Sequence, residues 1–160
     1  MRVPLKLKFY YFLSRFFQKN KTPTFSMDNP KEIRPGEEFS LEKLKTYLSE
    51  NNINTDNLSI KQFPSGYSNL TYFLKSSSQE FVLRRPPFGA KSLKGGHDMF
   101  REYNVLKNLK SQFSKVPDVY LYCDNSEIIG APFYLMERVE GYIIRPNLQQ
   151  KHAPTKEVIQ

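Results

Sequence analysis

The chain has 160 residues, enough for one domain with a sizeable core, and its 39% apolar and 14% aromatic content belongs to a folded protein. Its single cysteine, Cys123, excludes an intramolecular disulfide framework and a multi-cysteine zinc site, and with only His97 and His152 a metal centre built on several imidazoles is not expected. The net charge of +8 is concentrated: residues 1–27 carry six basic side chains and no acidic one, which leaves 18 basic against 16 acidic over the remainder. A nearly balanced body without a recognised nucleic-acid module argues against nucleic-acid binding.

The basic leader contains Phe9, Tyr10, Tyr11, Phe12, Leu13, Phe16 and Phe17. Lys6, Lys8 and Arg15 break it well short of the ~20 apolar residues of a membrane span, and it lacks the uncharged core and cleavage site of a secretory signal. Two readings stay open for residues 1–27: a targeting or membrane-surface segment, or untranslated sequence ahead of a true start at Met27, where the charge-balanced sequence begins. The body is expected in the cytoplasm, or in an organelle if the leader is a targeting signal, with no membrane partner.

Residues 28–57 form the next segment. Arg34-Pro35-Gly36 is turn chemistry, and Ser40 stands as an N-cap before Leu41, Leu44 and Leu48 at helical spacing, which predicts a helix from Leu41 to Asn51. From Leu58 the period changes. Ser59–Phe63 and Leu70–Leu74 read as a hairpin around a six-residue loop, and Glu80–Arg84 reads as a third strand of a meander, stopped by Pro86-Pro87. Asp98 is the expected cap of a second helix with Met99, Tyr103, Leu106 and Leu109 on one face. Val119–Cys123 and Pro132–Met136 complete the strands, joined by a polar turn at Asp124-Asn125-Ser126, and residues 146–160 form a polar tail without pattern.

Each candidate functional residue is weak alone. One glycine in the first hairpin loop falls short of a G-x-G-x-x-G pattern, a strand-end arginine is commonly a solvated charge, and a helix glutamate is commonly a surface acid. Their order is more informative. A loop-bearing hairpin, a third strand ending in a cation, a helix with a glutamate, two strands and then Met136-Glu137-Arg138-Val139-Glu140-Gly141 is the order of a kinase N-lobe. Two-residue alternation puts Val82 and Arg84 on one face of their strand, which favours Arg84 over Arg85 as the inward cation. Glu102 shares the helix side of Met99, Leu106 and Leu109, so a helix packed on the sheet aims it inward.

On these residues the chain resembles the aminoglycoside phosphotransferase and choline kinase-like superfamily, and it looks closest to kinase-like domains found free-standing or fused to certain acyl-CoA dehydrogenases. The matching runs are Gln62–Tyr72, Phe81–Pro87, Arg101-Glu102-Tyr103 and Gly130–Gly141. The resemblance implies an α+β fold: a protein-kinase-like N-lobe over residues 58–145, with a five-stranded antiparallel sheet, one packed helix and a preceding N-terminal helix. It implies that Ser65, Gly66, Tyr67, Ser68 and Asn69 cover nucleotide phosphates. Arg84 then takes the place of the usual lysine as phosphate partner, oriented by Glu102, with Val82 on the same face. It further implies that Met136 walls an adenine pocket, and that Glu137 through its carbonyl and Val139 through its N–H meet the adenine edge.

The partners so implied are ATP with Mg²⁺ and a hydroxyl-bearing small-molecule acceptor. The superfamily's catalytic H-G-D-x-x-x-x-N and D-x-D motifs do not occur in these 160 residues. The expectation is therefore a nucleotide-binding N-lobe of a small-molecule phosphotransferase, cut before its catalytic loop and inactive alone. The alternative is a non-catalytic nucleotide-binding or protein-interaction module.

Overall fold

Local chemistry sets the first elements as the sequence predicts. Gly36, at φ 84°, supplies the left-handed residue of the turn that Glu37 N–H closes on the Arg34 carbonyl at 3.0 Å. Ser40 caps helix α1 (Leu41–Glu50), its hydroxyl accepting from Lys43 N–H at 3.2 Å. Leu44 and Leu48, one turn apart, are both fully buried, and Asn52 ends the helical stretch at φ 60°.

The computed structural model describes residues 25–26, 29–64, 68–90, 97–141 and 143–144. The leader ahead of Phe25, the loop residues Ser65, Gly66 and Tyr67, the segment 91–96 and the tail 145–160 lie outside the described residues. The chain divides into two units: Asp28–Glu140, and Met1–Met27 with Gly141–Gln160. In the second unit Phe25–Ser26 pairs antiparallel with Ile143–Ile144. The first unit holds α1 and the whole sheet.

That sheet has five antiparallel strands: β1 (Ser59–Gln62), β2 (Leu70–Lys75), β3 (Glu80–Arg85), β4 (Val119–Cys123) and β5 (Phe133–Glu137). Their spatial order is β1-β2-β3-β5-β4. The first three form the expected meander. Helix α2 (Met99–Lys110) then carries the chain from β3 to the far edge, and β5 returns to pair between β3 and β4. This is the α+β, kinase-like N-lobe arrangement anticipated from the order of elements. A register irregularity between Val119 and Leu121 interrupts the β4–β5 ladder.

Alternation along the strands divides the sheet. Tyr72, Leu74, Phe81, Leu83, Phe133 and Leu135 point to one face and pack with Leu44 and Leu48 of α1. Each such side chain contributes about 1.5–3 kcal/mol by leaving water. Tyr47 meets Phe133 edge-on at 5.8 Å, and Phe39 meets Tyr72 at 5.0 Å. Ahead of α1, the backbones of Lys31 and Gln62 exchange two 2.8 Å hydrogen bonds, so residues before the helix cover the edge of β1.

Two expectations change. The polar turn after β4 is a short helix, α3 (Ser126–Ile129), because the Asn125 side chain accepts from Glu127 N–H at 2.9 Å and Gly130 at φ 83° terminates the turn. In α2 only Met99 is fully buried, and Leu109, expected on the inner face, is 42% exposed. Helical spacing fixes the direction of Leu109 but not how far the covering sheet extends beneath it. No helix among the described residues is long and apolar enough to cross a membrane.

Candidate functional site

The strand face opposite α1 carries the candidate site. Thr71 and Phe73 from β2, Val82 and Arg84 from β3, and Tyr134 and Met136 from β5 share it by alternation, in the cross-strand rows Thr71–Arg84–Tyr134 and Phe73–Val82–Met136. Asp98 caps α2 through Arg101 N–H at 2.9 Å, and the helix packs on β4 and β5 so that Glu102 in its first turn reaches this face.

Glu102 receives three donors. Arg84 Nε donates to Oε2 at 3.1 Å, Tyr134 Oη donates to the same oxygen at 3.0 Å, and Asn69 Nδ2 donates to Oε1 at 2.7 Å. Arg84 Nη1 donates to Thr71 Oγ1 at 3.3 Å, and Asn69 Oδ1 lies 2.8 Å from His97 Nδ1. The Arg84 and Glu102 side chains retain 29% and 33% exposure, so the pair is half-buried and reachable. Arg84 Nη2 has no protein partner among the described residues, which leaves part of the guanidinium fork to an incoming anion. The Tyr134 hydroxyl is held well above its ordinary pKa by burial, with Arg84 opposing and Glu102 adding, so it remains a donor to the carboxylate.

Arg85, next in the chain, ends on the other face. It is fully buried, donates from Nη1 to the Ile129 carbonyl at 2.6 Å and from Nε to the Pro86 carbonyl at 3.0 Å, and lies 3.7 Å from the Phe88 ring centroid. Its Nη2 is buried without a partner among the described residues. Strand alternation alone separates the two arginines, and the structure pairs Arg84 with the helix glutamate.

Beyond β5 the linker is fixed to the sheet. Glu137 N–H donates to the Asp118 carbonyl at 2.7 Å, and the Glu137 carboxylate accepts from Asp118 N–H at 3.0 Å. Arg138 pairs with Glu80, lies 3.3 Å from Glu140, and places its guanidinium 4.8 Å from the centroid of Phe73. Glu80 is held below its ordinary range by the hydrogen bond from Lys75 and then by that from Arg138, with burial opposing. Val139 is 59% exposed, and its N–H has no acceptor among the described residues.

Of the residues singled out from sequence, the structure brings Val82, Arg84, Glu102, Met136 and Asn69 to one face, with Glu137 and Val139 at its linker edge. Asn69 differs from a solvated loop residue: it is 4% exposed and its amide is engaged by Glu102 and His97. Ser68 is exposed, and Ser65, Gly66 and Tyr67 lie outside the described residues. Thr71, Tyr134, His97 and Arg138 were not singled out. Thr71 and Tyr134 were open to detection, since each shares the register row of Arg84, whereas nothing in the local sequence joins His97 to Asn69. Among the described residues no group of three or more His, Cys, Asp or Glu is placed to hold a metal ion. With the acidic motifs also missing from the sequence, these residues do not fit a Mg²⁺ site, and no step below runs through that ion.

Comparison with known proteins agrees with this geometry. The model of the phosphotransferase enzyme family matches residues 59–159. Acyl-CoA dehydrogenase family member 11 of Rattus norvegicus is 40% identical over 119 residues, covering 71% of this chain and 15% of that protein. The Gallus gallus protein of the same name is 43% identical over 88 residues, 55% of this chain and 11% of that protein. The chain thus spans only 15% and 11% of the length of these two curated relatives. A crystal structure described as that of an aminoglycoside phosphotransferase from Ralstonia eutropha superposes with a TM-score of 0.55 at 32% identity, covering 65% of this chain and 29% of that one. The kinase-like sheet, its helix and the matched sequence lead to one conclusion: the chain belongs to the phosphotransferase enzyme family.

Proposed function

We propose that the Asp28–Glu140 unit is the ATP-binding part of a small-molecule kinase that transfers the γ-phosphate of ATP to a hydroxyl. The observation that carries this reading is the half-buried Arg84–Glu102 pair on the sheet face away from the core. A carboxylate holding Nε fixes the guanidinium plane, and the unengaged Nη2 presents its N–H groups to the α- and β-phosphates. Phe73, Val82 and Met136 offer an apolar surface for the adenine ring, and the exposed linker offers backbone groups to its edge, with the Val139 N–H free to donate. Ser68 and the loop before it cover the phosphates. Charge on the nucleotide meets one oriented cation, and the flat base meets an apolar strand face.

The chain's own residues bind and orient. The carboxylate that accepts the acceptor's proton in this family belongs to a motif these 160 residues do not contain, so binding rather than turnover is the proper readout. Equilibrium titration of the full chain with ATP is expected to saturate, and Arg84→Ala is expected to weaken the affinity about tenfold or more through loss of charge-assisted hydrogen bonds. No saturable binding, or equal binding by a folded Arg84→Ala variant, would overturn the reading.

A further inference from the structure

The acceptor-only chemistry of a carboxylate fixes more of this network than the Arg84–Glu102 pair. Ionised Glu102 has no proton to give, so the Asn69 atom 2.7 Å from Oε1 is the amide nitrogen. The Asn69 carbonyl oxygen therefore faces His97, and the ring nitrogen 2.8 Å from it, Nδ1, must carry a proton. One acid thus sets an amide orientation, and the amide sets a histidine tautomer. The chain His97–Asn69–Glu102–Arg84 links residues separated by 28, 33 and 18 positions. It joins the end of the β1–β2 loop, the start of α2 and the end of β3.

We propose that His97 is a positioning residue for the Arg84–Glu102 pair. By donating its Nδ1 proton, it satisfies the Asn69 carbonyl and so keeps the buried amide in place against Glu102 Oε1. Oε2 is then left to Arg84 Nε and Tyr134 Oη. Without the histidine, a buried amide only 4% exposed has an unsatisfied carbonyl, and the amide must move toward water to satisfy it. That movement withdraws the Asn69 donor from Oε1, and Glu102 loses a contact that sets its orientation toward Arg84. Through Asn69, the same contact holds the stem of the β1–β2 loop to the helix that carries Glu102. The consequence for nucleotide affinity rests on the function proposed above; the consequence for the Arg84–Glu102 geometry does not.

The test uses the full chain labelled with nitrogen-15. At a pH of about 8, where imidazole is neutral, His97 is expected to carry its proton on Nδ1, and Asn69→Ala is expected to return the ring to the Nε2–H form. The Arg84 Nε–H signal should be protected from exchange in the native chain and in His97→Asn, whose amide supplies a donor at the Nδ1 position, and lose protection in His97→Ala. ATP affinity should fall about fivefold in His97→Ala and recover in His97→Asn, the effect of one buried hydrogen bond. An Nε2–H tautomer in the native chain, or full Arg84 Nε–H protection in His97→Ala, would overturn the proposal. Absence of ATP binding by the native chain would defeat the nucleotide reading alone, because the tautomer and exchange measurements still decide the role of His97.

Discussion

Arg84 and Arg85 are chain neighbours whose guanidinium groups end on opposite faces of β3. Arg84 bonds Glu102 on the half-exposed side at 3.1 Å, and Arg85 is sealed beneath Phe88 against the Ile129 carbonyl. On the function proposed above, the first serves a ligand and the second the fold, and substitution should separate the two roles.

Arg85→Met is expected to be tolerated and Arg85→Ala to destabilise the chain by about 2–4 kcal/mol in urea unfolding. The methionine fills the space without burying a charge, whereas alanine leaves a cavity. Burial already lowers the Arg85 pKa, against the opposing influence of Tyr72 and Glu37, and its Nη2 lacks a partner among the described residues. Both variants should bind ATP with native affinity once folded, in contrast to Arg84→Ala.

Tyr134→Phe removes one buried donor to Glu102 and nothing else. A stability loss of about 1 kcal/mol is expected from thermal or urea unfolding. Glu102→Gln should cost more in ATP affinity than in stability, because the amide cannot accept from Arg84, Tyr134 and Asn69 with the strength of a carboxylate.

Gly130→Ala should lower the melting temperature. Gly130 sits at φ 83°, and a Cβ there would lie 2.9 Å from the edge of the Phe88 ring that covers Arg85. Strain in the left-handed region costs about 1 kcal/mol or more, and the ring must shift as well. Gly36→Ala, at φ 84° with open space around its Cβ, should show only the backbone part of that loss.

Acid should weaken the linker contact. Glu80 has its pKa lowered by Lys75 and Arg138, so the folded state binds its proton less readily than the unfolded chain. The stabilisation is complete above the ordinary carboxylate value and is lost as the pH falls through the lowered one. Glu80→Gln should cost about 0.5–1 kcal/mol at neutral pH, a modest amount because the pair is partly solvated, and the difference from the native chain should disappear as the pH falls through the lowered Glu80 value. Unfolding curves of both proteins across that range measure it.

Much of the fold was legible in the sequence because it depends on local rules. Ser40 and Asp98 cap their helices as their side-chain chemistry dictates, the three-strand meander follows from alternation, and the order of elements identifies the kinase-like lobe. The polar residues after Cys123 predict a turn where a short helix forms, since one helical turn and a β-turn share the same polar opening residues. Leu109 is exposed although helical period puts it on the inner side of α2, because periodicity carries no information about where a sheet ends.

The sequence by itself determined which face of β3 carries Arg84 and which side of α2 carries Glu102, since both follow from backbone period. Only the tertiary structure decided that Asn69 is buried and bound to that glutamate, that Tyr134 and Thr71 complete the network, and that His97 meets the Asn69 amide. The physical reason is that period assigns a direction to each side chain on its own element. A hydrogen-bond partner depends on how elements far apart in the chain are brought within 3 Å or so of one another, and on which groups are able to donate once they meet.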